Sequence, residues 1–189
     1  MAVSLSKGQK VSLTKEAPGL KQVVVGLGWD AVRQGIFGNK PQIDCDASVI
    51  YMKNGQYAGL VYYGDRTAMN GTIYHHGDNL TGGAVGDDEQ ITVNLEKLPD
   101  AVDRIVFVVN IYQAAQRKQD FGLVKNAYIH LMDASNHKEI CKYNLTENYA
   151  GKTAMIFGEM YKRNGEWKFN AIGTGTTDNS ISELRARYM

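Results

Sequence analysis

The residues of this sequence best suited to chemistry lie in one short acidic stretch, HHGDNLTGGAVGDDE at positions 75–89. Several oxygen-bearing side chains alternate there with glycines, a composition that neither builds a hydrophobic core nor supports a regular element. Two unit charges ~5 Å apart repel by roughly 3 kcal/mol at an effective dielectric constant near 20. A fold that holds several carboxylates together is therefore expected to bind a cation, and hard oxygen ligands favour Ca²⁺ or Mg²⁺. A solvated acidic loop is the alternative.

A second acidic pair lies upstream, at Asp44 and Asp46 in the segment IDCDASVIYM (43–52). The apolar and β-branched residues of this segment favour a strand, on which residues two apart point to the same side. Asp44 and Asp46 therefore share one face, and Cys45 points to the other. Aspartate is depleted in strands, so the pair is unusual as surface decoration.

Other motifs favour less specific interpretations. The segment Asp78–Glu89 has the length of an EF-hand loop, but Leu80 and Gly82 stand where oxygen-bearing side chains are needed, and strands flank it. Adjacent histidines, His75 and His76, point to opposite sides of a strand, so at most one could join a metal site, and hydrogen-bonding or solvated histidines are more frequent. No serine or cysteine has a recognisable His/Asp setting. The large aromatic residues are expected in the core: Trp29, Tyr62, Tyr63, Phe107 and Trp167.

Length and composition predict one ordinary globular domain, spanning residues 1–189. The formal net charge of +1 gives no reason to expect a nucleic-acid partner. Cys45 and Cys141 have no metal-binding spacing and are expected to be buried apolar residues in a reducing compartment. The N-terminal residues lack the apolar core of a signal peptide, and no apolar run is long enough to span a membrane. We expect a cytoplasmic protein.

The pattern of elements predicts an all-β fold, a β-sandwich of two mainly antiparallel sheets with about ten strands. Short alternating or apolar segments recur between turn signals, among them hairpins at Asn54-Gly55, Asn70-Gly71 and Asn164-Gly165. The segment RIVFVVNIY (104–112) is the best candidate for a central strand, and 114–118 for one helical turn. In the tail, residues 174–189, Ser180 and Glu183 predict the start of a short C-terminal helix. The strands are predicted at 11–13, 22–28, 43–52, 57–63, 90–95, 104–112, 127–132, 140–145, 154–162 and 167–173.

Several of these segments, taken together and in order, resemble the tellurium-resistance TerD family. They are GLGWD (26–30), IDCDAS (43–48), GDNLTG (77–82), GDDE (86–89), RIVFVVNIY (104–112), FGLVKNA (121–127) and TAMIFGEMYKRNGEWKFNAIG (153–173). The resemblance implies a β-sandwich that binds calcium through a DxD strand and a GDNxTGxGxGDDE loop. It also implies a role in resistance to tellurite, phage and other stress, beside other tellurium-resistance proteins and a membrane-associated complex. Carried over residue by residue, the implied ligands are Asp44, Asp46, Asp78, Asn79, Asp87, Asp88 and Glu89, with Asp30 as a further candidate at the end of GLGWD.

The chain departs from the family pattern inside the loop, where members usually read TGEGDGDDE and this chain reads TGGAVGDDE. Gly83 and Val85 occupy positions that are acidic in that pattern, which leaves the number of bound ions open. The tail after residue 173 is also longer than the ending frequent in the family.

Two other functions fit the same acidic residues. A Ca²⁺-dependent peripheral membrane module would bridge the ion to anionic lipid, although the loop has no neighbouring Lys/Arg cluster. A metal-dependent hydrolase would use Asp87 or Glu89 as a base, although the sequence offers no identifiable nucleophile or substrate pocket. We expect a calcium-binding stress-response module that is not an enzyme.

Overall fold

The computed structural model describes residues 2–31, 43–77 and 86–189, and it consists mainly of strands arranged in two sheets. The strands are β1 (Val3–Leu5), β2 (Lys10–Ser12), β3 (Gln22–Ala31), β4 (Cys45–Lys53), β5 (Gln56–Val61), β6 (Thr67–Ala68), β7 (Ile73–His75), β8 (Glu89–Asn94), β9 (Val102–Ile111), β10 (Val124–Asp133), β11 (Glu139–Asn144), β12 (Ala154–Arg163) and β13 (Glu166–Thr176). The helices are α1 (Leu13–Glu16), α2 (Ala114–Arg117) and α3 (Ile181–Ala186), and a 3-10 turn covers Phe121–Leu123.

The two sheets confirm the predicted sandwich. The first sheet is 7-stranded, in the order β1-β11-β10-β3-β8-β7-β6, and the second is 6-stranded, in the order β2-β13-β12-β9-β4-β5. Neighbouring strands within the described residues are antiparallel, except that β1 runs parallel to β11. Strand β9 pairs with β12 on one side and β4 on the other, so the central strand predicted at 104–112 is confirmed.

The core lies between the sheets because alternate residues of each strand point inward. In β3, for example, Val23, Val25 and Leu27 are fully buried, and in β9 Ile105, Phe107 and Val109 are fully buried opposite them. Both cysteines, predicted to be buried, are buried and unpaired with each other. Of the aromatic residues expected in the core, Trp29, Phe107 and Trp167 are there, but Tyr63 is largely exposed.

The predicted hairpins are confirmed by their backbone geometry. Asn54 and Gly55 have φ of 50° and 75°, and Asn164 and Gly165 have φ of 53° and 75°, as a two-residue turn between strands of right-handed twist requires. Asn70-Gly71 turns the chain from β6 to β7 in the same left-handed region, with φ of 55° and 79°.

The C-terminal helix α3 lies on the outer face of the second sheet. Its cap is as predicted: Ser180 Oγ accepts a hydrogen bond from the Glu183 amide at 3.2 Å. Leu184 is fully buried by this packing, in a separate apolar cluster with Ile50, Val106, Val108 and Ala154. The tail therefore covers part of a sheet face that would otherwise expose apolar side chains.

Several boundaries differ from the sequence-based predictions. The first predicted strand, at 11–13, is β2, and Leu13 instead begins α1 because the Ser12 hydroxyl caps it through the Lys15 amide. The strands β1 and β6 were not predicted, since each is only a few residues long. The strand predicted from residue 43 begins at Cys45, so Asp44 precedes it. Within the described residues, no helix is long and apolar enough to cross a membrane.

Candidate metal site

Asp44, Asp46, Asp88 and Glu89 lie at strand ends on one side of the sandwich, which we call the acidic end. It is formed by the final residues of β3, β7 and β9 and the first residues of β4 and β8. Antiparallel pairing places these termini together: Leu27 pairs with Glu89 in the first sheet, and Cys45 pairs with Ile111 in the second. The strands thus bring acids from distant parts of the chain to the same end of both sheets.

Glu89 links the two sheets at this end. It is 2% exposed, and its Oε2 accepts a hydrogen bond of 2.8 Å from the Ala47 amide across the sandwich. The same oxygen lies 3.2 Å from Nε2 of the fully buried His75. His75 Nδ1 accepts a hydrogen bond from the Gly77 amide at 3.0 Å, so Nε2 carries the proton and donates toward Glu89 and the Ala47 carbonyl. Glu89 is therefore held in one orientation.

Asp88 and Asp46 are both almost fully buried. Asp88 is 7% exposed, and its Oδ2 accepts a hydrogen bond of 2.7 Å from the Trp29 amide at the end of β3. Asp46 is 5% exposed, on the outward-pointing positions of β4. Burial of this extent is uncommon for aspartate unless a partner or a bound cation compensates the charge.

The Cys45 thiol lies in the electric field of several of these acids. Burial raises the pKa of Cys45 well above its ordinary value, and the negative charges of Asp46, Glu89, Asp44 and Asp88 raise it further. Asp44 and Asp46 are chain neighbours of Cys45, whereas Glu89 and Asp88 act on it from the start of β8.

Asp44 lies at the rim of the acidic end. Its Oδ2 is 3.6 Å from a guanidinium nitrogen of Arg117, in α2. The same guanidinium lies 5.1 Å from the ring centroid of Tyr112. Asp44 is thus paired with a cation of the protein, and because it precedes β4 it does not share a strand face with Asp46.

Asp87 and Asp30 contact other partners, on the outer face of the first sheet. Asp87 bonds to His130 Nε2 at 2.9 Å, Tyr128 Oη at 2.9 Å and Gln90 Nε2 at 3.0 Å. Asp30 accepts a hydrogen bond of 2.8 Å from the Asn126 amide group. Both aspartates are therefore bonded to side chains of β10, and Asp30 lines one cavity together with Asp88 and Tyr128.

The pKa values of Asp87 and His130 are both shifted by their hydrogen bonds. Burial alone would raise the pKa of Asp87, but hydrogen bonds from His130, Gln90 and Tyr128 outweigh it and lower that pKa. Burial alone would lower the pKa of His130, but its hydrogen bonds to Asp87 and Glu139 raise it. His130 Nδ1 is 2.7 Å from Glu139 Oε2, so the imidazolium bridges two carboxylates.

The glycines of GLGWD are explained by the same contacts. A Cβ atom at Gly26 would collide with Asp87 Oδ2 and His130 Nε2, and one at Gly28 would come 2.5 Å from the Tyr128 ring. Strand β3 therefore needs glycine at positions 26 and 28, where the side chains of Asp87, His130 and Tyr128 lie against its backbone.

The acidic end contains the type of ligand atom that a hard divalent cation prefers. Asp44, Asp46, Asp88 and Glu89 have carboxylate oxygens, and hydrogen bonds orient those of Asp88 and Glu89. Among the described residues alone, no three His, Cys, Asp or Glu side chains come together as a complete metal-binding group. The predicted ligands Asp78 and Asn79 lie outside the described residues, between β7 and β8 in the chain.

His75, for which a hydrogen-bonding or solvated role was favoured over a metal ligand, is buried and hydrogen-bonded to Glu89. Sequence reasoning missed other residues that surround these acids. His130 and Tyr128 carry no sequence signal, because their contacts with Asp87 depend on the pairing of β10 with β3. Ser48 shares the two-residue spacing of Asp44 and Asp46, so the alternation that identified the pair would also have identified Ser48.

Comparison with known proteins shows which family the chain resembles. The TerD domain matches residues 1–188 of the chain. The chain is 48% identical over 199 residues to the stress response protein SCP2 of Bacillus subtilis (strain 168), covering 100% of both chains. It is 46% identical over 192 residues to the tellurium resistance protein TerD of Serratia marcescens, covering 100% of this chain and 97% of that one.

The solved structures show the same fold. A telluride resistance protein (TerD) homologue from Streptomyces coelicolor A3(2) superposes with a TM-score of 0.66 at 22% identity, covering 88% of this chain and 96% of that chain. The match extends over almost the entire sequence, and the relatives are nearly half identical. The chain therefore belongs to the TerD family, as its motifs predicted.

Proposed function

We propose that this protein is a calcium-binding module of the bacterial stress response, and that the ion binds at the acidic end of the sandwich. The observation that supports this most directly is the burial of three carboxylates, those of Asp46, Asp88 and Glu89, at strand ends on one side of the sandwich. Holding them together without a counter-ion is costly, and a divalent cation would compensate their charge.

In this proposal Asp46, Asp88 and Glu89 ligate the ion, with Asp44 at the rim and Asp78 and Asn79 completing the shell from the neighbouring segment. Ca²⁺ accepts six to eight oxygen ligands in irregular geometry, whereas Mg²⁺ demands a tight octahedron and loses its water reluctantly. Carboxylates contributed by two sheets suit the larger and less demanding ion. Binding would tie the sheets together at one end.

The module acts by binding rather than by catalysis in this proposal. Its relatives are named as stress-response and tellurium-resistance proteins. We infer that the calcium-loaded end presents a surface to other tellurium-resistance proteins and to a membrane-associated complex. An ion that ties the two sheets together would make the sandwich respond to Ca²⁺ as one rigid unit.

The decisive experiment uses two adjacent residues that the structure assigns to different partners. Calorimetric titration with Ca²⁺ after chelation should show binding to the wild type. Asp88→Asn should weaken it at least about tenfold, because a carboxylate oriented by the Trp29 amide is lost. Asp87→Asn should change it far less, because Asp87 is bound to His130.

The two variants remove the same charge from neighbouring positions, so each controls for the other's general electrostatic effect. Loss of Ca²⁺ binding in Asp87→Asn together with normal binding in Asp88→Asn would contradict the assignment of ligands. Absence of Ca²⁺ binding in the wild type would refute the function itself.

A further inference from the structure

A separate cavity of about 350 Å³ lies on the outer face of the second sheet, on the side away from the core. Its floor is formed by Asp46 and Ser48 of β4 and Asn110 of β9, and Asp46 pairs directly with Asn110. Tyr62, Tyr63 and Tyr112 form its walls, and the start of α3 closes one side through Ile181. We call this cavity the outer pocket.

The floor of the outer pocket presents polar atoms that the described part of the chain leaves without partners. Ser48 is 1% and Asn110 is 6% exposed. Neither Ser48 Oγ nor Asn110 Oδ1 has a hydrogen-bond partner among the described residues. Buried polar groups are nearly always hydrogen-bonded, because burying them unpaired costs free energy. Two such atoms on residues that line one cavity indicate that the pocket is built to hold a hydrogen-bonding occupant.

The charge and the aromatic side chains of the pocket lining indicate which class of ligand the pocket would bind. Asp46 contributes a carboxylate to the floor, and the described lining contains no lysine, arginine or histidine. Tyr63 and Tyr112 remain 44% and 40% exposed at the rim, although large aromatic side chains are usually covered. Aromatic faces attract cations, and the protein's own Arg117 already stacks on Tyr112 outside the pocket.

We propose that the outer pocket binds a small organic cation, a protonated amine with an apolar body. The ammonium group donates to the Asp46 carboxylate, Asn110 Oδ1 and Ser48 Oγ, and the apolar body packs against the tyrosine rings and Ile181. The cavity volume is at the lower end of the range for small-molecule sites, so the ligand is metabolite-sized rather than a protein segment. The Asp46 carboxylate disfavours anions.

This site and the proposed calcium site share Asp46 but differ elsewhere. Ser48 and Asn110 line the outer pocket and are absent from the set of proposed calcium ligands. A substitution at either residue therefore separates the two activities, and one can fail without the other.

The test uses three probes of nearly the same shape and different charge: benzylamine, benzyl alcohol and benzoate. Each is titrated into the full chain in chelator, and backbone amide shifts are followed by NMR. We expect saturable shifts at Ser48, Asn110 and Tyr112 with benzylamine, and apparent affinities at least about tenfold lower for the other two. Equal responses to all three probes, or none to benzylamine, overturn the proposal, the second result meaning that the pocket holds only water.

The variants test the position of the site. Asn110→Leu should weaken benzylamine binding at least tenfold, about 1.4 kcal/mol, and leave the Ca²⁺ affinity unchanged. Asn170→Leu is the matched control, because Asn170 also lies on the outer face of this sheet with an unpartnered buried Oδ1 among the described residues, but outside the pocket. Ser48→Ala repeats the test with a smaller change if Asn110→Leu does not fold. Unchanged benzylamine binding in the folded pocket variants would overturn the assignment.

Discussion

Asp87 and Asp88 are neighbours in the sequence, yet their side chains have unrelated partners. Asp88 accepts from the Trp29 amide and lies among the acids around Cys45, whereas Asp87 is held by His130 on the outer face of the first sheet. A carboxylate already paired with an imidazolium is a poorer metal ligand, because the cation would have to displace that partner. The two aspartates of GDDE thus have different roles: Asp88 belongs to the candidate metal site, and Asp87 belongs to a structural ion pair with His130.

The first prediction concerns the pH dependence that His130 confers. The folded protein binds the His130 proton more tightly than the unfolded chain, because the pKa is raised in the folded state. This stabilisation is fully present below ~6.5, the ordinary histidine pKa, and is lost as the pH rises through the raised pKa. His130→Gln should lower the free energy of unfolding by roughly 1–2 kcal/mol below that pH, and the difference from wild type should shrink as the pH rises.

Urea denaturation in chelator between pH 6 and 9 measures this difference. His137→Gln is the control, since His137 is an exposed residue of the turn between β10 and β11. A difference between wild type and His130→Gln that stays constant over the whole pH range would show that the imidazolium bridge does not contribute through its charge.

The second prediction concerns Gly26 of β3, against which the side chains of Asp87 and His130 lie. Gly26→Ala should destabilise the protein by roughly 1–3 kcal/mol, because the added methyl group collides with Asp87 and His130. The penalty should be smaller in a His130→Ala background, where the imidazole is absent. Thermal denaturation of the four variants of this cycle measures the coupling. Additive effects would mean that the contact is not the cause.

At the scale of elements, most of the sandwich follows from local sequence. The Asn-Gly turns fix the hairpins, since both residues tolerate the left-handed region, and the apolar segment 104–112 can only be a strand buried on both faces. The edge strands β1 and β6 could not be predicted, because a strand of two or three residues has no periodicity and is defined only by its partner. For the same reason the sequence indicated the acids of the site but not His130, whose position depends on the β3–β10 register.

The third prediction concerns the helix that covers the second sheet. Leu184 is fully buried against Ile50, Val106 and Val108. Leu184→Ala should therefore lower the free energy of unfolding by roughly 2–5 kcal/mol if the helix unfolds only with the whole domain. Chemical denaturation measures this, and Ser182→Ala, on the exposed side of α3, should have almost no effect. If Leu184→Ala left global unfolding unchanged, α3 would be a separately unfolding element.

At the scale of the whole molecule, the acidic end is where the two sheets depend on each other most. The Glu89–Ala47 hydrogen bond connects them directly, and the charges around Cys45 come from both. In the absence of a cation these charges repel, and each pair ~5 Å apart costs roughly 3 kcal/mol at an effective dielectric constant near 20. The proposed Ca²⁺ ion would convert this repulsion into a link between the sheets.

The last prediction is that one substitution changes stability in opposite directions with and without calcium. Ca²⁺ at 100 times its dissociation constant should stabilise the wild type by about 2.7 kcal/mol, which raises Tm by about 2–4 °C per kcal/mol for a domain of this size. Mg²⁺ should raise Tm less. Asp46→Asn removes a buried negative charge, so in chelator it should be as stable as the wild type or more stable, whereas in Ca²⁺ it should be less stable because a ligand is lost. Thermal denaturation of both proteins in both buffers measures the four values. If Asp46→Asn were instead less stable in chelator and gained as much from Ca²⁺ as the wild type, Asp46 would serve the fold and would not be a calcium ligand.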